Sequence, residues 1–255
     1  MPRRVTMLGS GTSTGVPVIG CDCAVCRSAD PRNRRTRPGL RLDLAGGTVV
    51  VDTSPDFRAQ ALAHGLERVD AVLYTHPHAD HVFGLDDLRI YNFRQRASIP
   101  CYGSPTTIAR LRQIFAYVFE EGQEGGGKPR LDLVAVEEPF ELLGERVVPV
   151  PVMHGEMPVY GWRIGPFAVV TDVNFIPPES WRALEGVEVL VISALRYRPH
   201  PTHWSVEESI AAARRIGARR TLLTHIAHDV DHAEPRVALP PGVEIGHDGL
   251  VVDLD

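Results

Sequence analysis

Long apolar runs are missing from this 255-residue chain. No segment approaches the roughly 18 consecutive apolar residues that a membrane-spanning helix needs. A leader is not expected either. Met1-Pro2-Arg3-Arg4 leads into an apolar run that stops at Gly9, too short for a signal peptide and without a small-residue cleavage site. The expectation is a cytoplasmic protein with no membrane partner. Surplus positive charge is also missing: 27 Lys and Arg face 32 Asp and Glu, for a formal net charge of −5. That removes the global electrostatic footprint of a polyanion or membrane-surface binder. It leaves room for a small phosphate-bearing substrate, because metals and a few arginines act locally. Cysteine is scarce. There are four, and three stand in Cys21-Asp22-Cys23-Ala24-Val25-Cys26. A disulfide framework would spread its cysteines along the chain, so this crowding reads as metal ligation. Linker composition and internal repeats of fixed period are lacking too. Residues 1–255 therefore read as one domain.

Hydrophobic residues make up 44% of the chain, enough for a sizeable core. Strand and helix signals interleave. Val5–Leu8 reads as a strand running into a loop of small residues, Gly9 to Gly15. Gly47–Val51, Ala71–Tyr74, Val147–Val152, Val159–Ile164, Ala168–Thr171, Val187–Ile192 and Thr221–Thr224 read as further strands. Ser54-Pro55 predicts a capped helix with proline at its first position, ended by Gly65. Ser104-Pro105 opens another, with Ile108, Leu111, Phe115 and Val118 on one face. Ser205-Val206-Glu207-Glu208 is a capping box; Val206, Ile210, Ala213 and Ile216 form the stripe behind it, and Gly217 stops the helix. Glu120 to Pro129, with Gly122, Gly125, Gly126 and Gly127, reads as a surface loop, either a lid or a connection without a role. The class is α/β with mixed sheets.

Polar residues cluster where strands end. His76, His154, Asp172 and His225 each close or follow a predicted strand, an arrangement that brings ligands to one rigid rim. Thr75-His76-Pro77-His78-Ala79-Asp80-His81 holds four potential ligands within six residues. Imidazole with carboxylate suits zinc, manganese or iron. Asp52 also follows a strand and reads as a residue orienting a ligand histidine, with a plain helix-entry role as the alternative. Cys21, Cys23 and Cys26 offer three thiolates, one donor short of a closed tetrahedral zinc site. The alternative is free or disulfide-prone thiols.

His76-x-His78-x-Asp80-His81 is similar to the signature of the metallo-β-lactamase superfamily. The resemblance spans most of the chain, with His154, Asp172 and His225 following in the expected order. It implies an αββα sandwich of two mixed β-sheets with helices on the outer faces. It also implies two divalent ions, zinc or manganese: His76, His78 and His154 on one, Asp80, His81 and His225 on the other, and Asp172 between them. Within the superfamily the cysteine pattern resembles the phosphoribosyl cyclic phosphodiesterase of phosphonate breakdown. That implies a structural zinc on Cys21, Cys23, Cys26 and His228. Related phosphodiesterases and transfer-RNA 3′-processing nucleases use a histidine before the penultimate helix as phosphate contact and acid. His203 fits that position best, beside a helix N-terminus that favours an anion; His200 is the lesser candidate, with a simply solvated side chain as the alternative.

These resemblances imply hydrolysis of a small phosphodiester, such as a cyclic ribose phosphate or cyclic nucleotide, through a metal-bridging hydroxide. Asp80 and His203 are the residues expected to be catalytic. The partner expected is a small phosphate ester. Nucleic acid is not expected, and a homodimer stays open. Two other readings remain: a transfer-RNA 3′-processing nuclease, whose basic arm has no counterpart here, and a thioester or lactone hydrolase. Asp86 and Arg89 read as a buried pair near the site. Arg32, Arg34, Arg35 and Arg37 read as a solvated face or, alternatively, a substrate-phosphate contact. Cys101 reads as a core thiol.

Overall fold

The computed structural model describes residues 3–120 and 127–254. Gly122, Gly125 and Gly126 of the glycine-rich segment lie outside these described residues. Six strands form the first sheet in chain order: β1 Arg4–Gly9, β2 Gly39–Leu44, β3 Gly47–Val51, β4 Ala71–Leu73, β5 Ile99–Gly103 and β6 Leu131–Ala135. Seven form the second: β7 Phe140–Leu142, β8 Glu145–His154, β9 Met157–Ile164, β10 Phe167–Val170, β11 Val189–Ser193, β12 Arg220–Thr224 and β13 Val243–Ile245. Finally, β14 (Val251–Asp253) returns to the first sheet beside β1.

Both sheets are mixed, and in the same way. The first runs β14-β1-β2-β3-β4-β5-β6, antiparallel as far as β3 and parallel beyond it. The second runs β13-β12-β11-β10-β9-β8-β7, parallel as far as β10 and antiparallel beyond it. Sequence explains the division. β11 is buried at all five positions and β12 at four of five, as parallel strands covered on both faces require. β8 and β9 form a hairpin whose exposure varies along the strand, as in a sheet covered less completely.

Three apolar clusters define the layers. Val5, Leu42, Val49 and Leu73 of the first sheet meet Trp162, Phe167, Val191 and Leu222 of the second. The outer face of the first sheet packs Val50, Val72 and Cys101 against its helices. These are α1 Phe57–Ala63, α2 Ala79–Val82, α3 Arg89–Gln95, α4 Pro105–Ile114 and α5 Ala116–Phe119. The outer face of the second sheet packs Val150, Ala168 and Ile192 against α6 Pro178–Ala183 and α7 Val206–Ile216. The result is the expected αββα sandwich with helices outside. No helix among the described residues is long and apolar enough to cross a membrane.

Two helix starts test the capping signals. Ser205 accepts from Glu208 N, and the Glu208 carboxylate accepts from Ser205 N at 2.7 Å, so the capping box of α7 forms. At α1 the expectation fails. Ser54 and Pro55 belong to a turn, and the helix begins at Phe57. The Ser54 carbonyl accepts from Phe57 N at 2.9 Å, and its hydroxyl accepts from Asp56 N at 3.3 Å. Asp56 is drawn instead into a pairing with Arg37, whose backbone and guanidinium both donate to its carboxylate.

Candidate metal centre

In a mixed sheet the carboxyl ends of the parallel strands share one edge, and that edge is where function collects. Here Asp52 follows β3, Thr75 and His76 follow β4, Asp172 follows β10 and His225 follows β12. His154 closes β8. Asp52, Asp172 and His225 all have left-handed backbone, with φ of 60°, 52° and 57°. L-residues avoid this region at a cost of roughly 1–2 kcal/mol each. Packing of both sheets holds them there, a local cost characteristic of sites where direction matters more than comfort.

Donor atoms converge in groups. His76, His78 and His154 have ring nitrogens within 4.8 Å of one another; so do the donors of Asp80, His81 and His225. Asp172 lies between. Its Oδ1 is 3.2 Å from His225 Nε2, and its Oδ2 is 3.2 Å from His81 Nε2. Asp172 also joins a group with His76 and His81, and another with His154 and His203.

Tautomers follow from the partners of the opposite ring nitrogens. His81 Nδ1 donates to Asp52 Oδ2 at 2.7 Å. His154 Nδ1 donates to the Thr202 carbonyl at 2.9 Å. The Thr75 hydroxyl donates to Asp52 Oδ2 at 2.7 Å, so its oxygen receives the His76 Nδ1 proton at 3.0 Å. Each of these rings therefore takes its first proton on Nδ1 and turns Nε2 inward, the atom that a metal would bind. His78 presents Nδ1, only 3.1 Å from His76 Nε2. Ligands of one tetrahedral ion at about 2.0–2.1 Å would stand about 3.3 Å apart. His81 Nε2 is buried without a hydrogen-bond partner although it lies 3.4 Å from Asp80 Oδ2 and 3.2 Å from Asp172 Oδ2. Close but misaligned donor atoms fit a shared cation better than a hydrogen bond. These residues can hold metals.

Electrostatics agree. Burial pushes the His76 and His78 imidazoles down, toward the neutral form that ligates. For His81, burial is outweighed by Asp172, Asp52 and Asp80, which raise it. Burial opposes ionisation of Asp80 and Asp172, but the imidazoles of His81 and His225 hold both carboxyls well below their ordinary range. A buried cluster of carboxylates and imidazoles that stabilises charge in this way has the chemistry of a cation site.

The second cluster gathers Cys21, Cys23, Cys26 and His228. The three sulfurs lie 3.3, 3.5 and 3.6 Å from His228 Nδ1. Zinc–sulfur and zinc–nitrogen bonds of about 2.3 and 2.0 Å at tetrahedral angles separate such ligands by about 3.5 Å. Cys26 N–H donates to Cys23 Sγ, which, with neighbouring groups and against burial, lowers the Cys23 thiol to about 7. Burial raises Cys26 to about 11. The four residues fit a closed site.

Other expected residues divide. Asp52 is buried and also accepts from Thr75 N at 2.8 Å, so it orients both Thr75 and His81. His203 stacks on His225 with ring centroids 5.0 Å apart, and its Nδ1 is 3.6 Å from Asp172 Oδ1. Burial depresses it to about 3, with Asp172 pulling the other way. The helix N-terminus beside it is not an open anion site, because Glu208 already closes it. Asp86 and Arg89 do pair, at 3.2 Å, but as an exposed surface pair rather than a buried one. The arginine stretch is not a single solvated face. Arg32 pairs with Asp30 and Arg37 with Asp56, while Arg35 is 1% exposed and donates to the Val230 carbonyl and Asn33 Oδ1. Cys101 is a core thiol, raised by burial. The reading from sequence missed the threonines. Thr75, Thr171 and Thr224 each precede a cluster residue, and Thr171 Oγ1 donates to Asp172 Oδ2 at 2.7 Å. That repeated threonine–ligand step at three strand ends was the signal available.

Comparison with known proteins agrees with this geometry. The family model described as beta-lactamase superfamily domain matches residues 48–226. The chain belongs to this superfamily: it is a metallohydrolase of the metallo-β-lactamase fold. A crystal structure titled as a new diphosphatase from the PhnP family is 43% identical, with a TM-score of 0.92 over 99% of this chain and 98% of that one. The protein called octanoyltransferase in Porphyromonas gingivalis is 40% identical over 99% of this chain, which spans 52% of that protein's length. Ribonuclease Z of Methanopyrus kandleri is 29% identical over 88% of this chain and 94% of its own.

Proposed function

We propose that the chain hydrolyses phosphodiesters, with a small diester such as a cyclic ribose phosphate or cyclic nucleotide as substrate. The observation that carries the reading is the pair of donor groups meeting across Asp172, with the further imidazole of His203 against them. In this reading His76, His78 and His154 hold one divalent ion. Asp80, His81 and His225 hold a second, and Asp172 serves both. Bound, such ions supply Lewis acidity at the phosphate oxygens and lower the pKa of water.

The chain's own residues do the rest. Asp52 and Thr75 fix the rings of His81 and His76, and the Thr202 carbonyl fixes His154. His203 holds the proton for the leaving oxygen. Burial favours its neutral form, and a phosphate anion beside it would raise its proton affinity. Cys21, Cys23, Cys26 and His228 hold a structural zinc in the same reading. The resemblance to ribonuclease Z keeps a nuclease as the second candidate; the net charge of −5 counts against it.

Elemental analysis and a substrate panel test the proposal together. The zinc- or manganese-reconstituted protein should carry two active-site ions and hydrolyse cyclic and linear phosphodiesters. Faster turnover of thioesters, lactones or precursor transfer RNA would overturn it, as would a site that takes up one ion or none.

A further inference from the structure

Two threonines where parallel strands end face the layer between the sheets. Side chains alternate along a strand, so residues two apart share a face. Val169 of β10 and Leu222 of β12 belong to the core between the sheets. Thr171 and Thr224, each two residues further on, carry a hydroxyl into that same layer. There they bound a cavity of about 10 Å³ together with Leu40, Val51, Asp52 and Val191. None of these six residues is more than 4% exposed. The cavity sits directly behind the metal centre on both sheets. Asp52 holds the ring of His81, Thr171 precedes Asp172, and Thr224 precedes His225.

A buried hydroxyl left without a hydrogen bond costs about 1–3 kcal/mol, so valine would serve better at either position if packing were the whole demand. Thr171 Oγ1 gives its proton to Asp172 Oδ2 at 2.7 Å, and its lone pairs can still accept. Thr224 Oγ1 makes no hydrogen bond to another group among the described residues, so its proton is free to be given. Asp52 accepts three bonds. Oδ1 takes the Thr75 N–H, and Oδ2 takes the Thr75 hydroxyl and His81 Nδ1. A carboxylate has about four acceptor sites, which leaves one on Oδ1. Two acceptors and one donor around a common space are the complement of a water molecule, which gives two protons and takes one. A volume of about 10–15 Å³ with two to four polar partners holds one water.

We propose that this cavity binds one structural water, which accepts from Thr224 Oγ1 and donates to Asp52 Oδ1 and Thr171 Oγ1, and that through it Thr171 and Thr224 are positioning residues of the metal centre. The water joins the group that orients His81, on the first sheet, to the group that orients Asp172, on the second. Apolar packing between the sheets has no direction, whereas these bonds do, so they fix the two donor sets against each other. The inference concerns where the ligands stand, and it holds for a phosphodiester or for any other ester as substrate.

A high-resolution crystal structure of the zinc-loaded protein should show one ordered water within hydrogen-bonding distance of all three oxygens. Cobalt(II) placed in the active centre, with zinc kept in the cysteine cluster, then reads ligand geometry without turnover. Thr224→Val keeps the branched shape and strand preference and removes the donor. Its visible cobalt bands should shift, and its active-site cobalt affinity, measured by chelator competition, should fall about tenfold, the low end for losing a group behind a ligand. Thr224→Ser, which keeps the hydroxyl, should restore both. Thr171→Val should shift the bands at least as far, since it also frees Asp172. A melting temperature that falls while bands and affinity stay at parent values would assign the hydroxyls to packing alone and overturn the positioning role. A cavity without ordered water in the parent crystal would overturn the water site, and that measurement stands even where a variant fails to fold. A parent that shows the water but takes up no active-site metal would sink the metal reading and keep the water site.

Discussion

An imidazole can donate or accept, and the partner of one nitrogen decides what the other can do. At this centre Asp52, Thr75 and Thr202 take the outer protons of His81, His76 and His154, so the inner nitrogens are acceptors. His203 is different. Its Nδ1 is buried without a hydrogen-bond partner and stands 3.6 Å from Asp172 Oδ1, while the ring stacks on His225. That leaves it free to deliver a proton without giving up a metal. Removing a positioned acid typically costs about 10²–10⁴-fold in rate. His203→Ala should keep its full metal content and lose that much on a diester with an alkoxide leaving group. A nitrophenolate leaves without a proton, so the loss on a nitrophenyl diester should be far smaller. Equal losses would reassign His203 to phosphate binding, and no loss on either would exclude it from the reaction.

Elements set direction, and cross-strand contacts set register. Asp43 on β2 lies directly opposite Arg4 on β1 and Thr48 on β3. Its carboxylate accepts from Arg4 Nε at 2.9 Å, Arg41 Nε at 2.8 Å and Thr48 Oγ1 at 3.2 Å. Burial raises this carboxyl, but the two arginines more than offset it and the net shift is downward. A carboxyl depressed in the folded state contributes stability above its unfolded pKa, about 3.9, and loses it as pH falls through the folded value. Asp43→Asn should therefore lower the melting temperature near pH 7 by about 2–4 °C, allowing for partial solvent screening. The difference from the parent should shrink below about pH 4. A difference that persists unchanged at pH 3 would show that packing, not charge, holds the ladder.

The whole molecule joins two like halves, each with three antiparallel and three parallel pairings, and the centre lies where their parallel ends meet. One short segment ties this architecture to the cysteine cluster. His225 faces the active centre and His228 faces Cys21, Cys23 and Cys26, only three residues apart. A closed zinc site contributes folding free energy directly. On the zinc reading, Cys23→Ser should remove one zinc per chain and lower the melting temperature by about 4–8 °C, equivalent to about 2 kcal/mol at this size. Two active-site ions should still bind. Calorimetry and elemental analysis check both numbers; a variant that melts like the parent with all its zinc would show that the cysteines are not ligands.

Local chemistry was legible in the sequence wherever it lies within one segment. The crowding of His76, His78, Asp80 and His81, the capping box at Ser205 and the buried runs of β11 and β12 depend on near neighbours, so spacing alone revealed them. The resemblance extended that reading to distant donors such as His154, Asp172, His225 and His228. What spacing could not decide were the outcomes of competition between distant segments. Asp56 paired with Arg37 and moved the start of α1 to Phe57, although Ser54-Pro55 is a sound local signal. Arg35 was drawn out of a solvated stretch by the Val230 carbonyl and Asn33, nearly 200 residues apart in the chain. Asp86 and Arg89 paired as expected but at the surface, where Asp86 also accepts from the Tyr117 hydroxyl and Arg89 donates to the Gly127 carbonyl. The short strands β5, β6, β13 and β14 exist because neighbours supply their hydrogen bonds, a condition no local pattern contains. Thr202 holding both His154 and His200 is the same case, since a carbonyl and an amide reach partners that only the folded chain brings within 3.5 Å. Residue type and local spacing determined which atoms could act; the sandwich decided which of them face one another, and which proton each keeps.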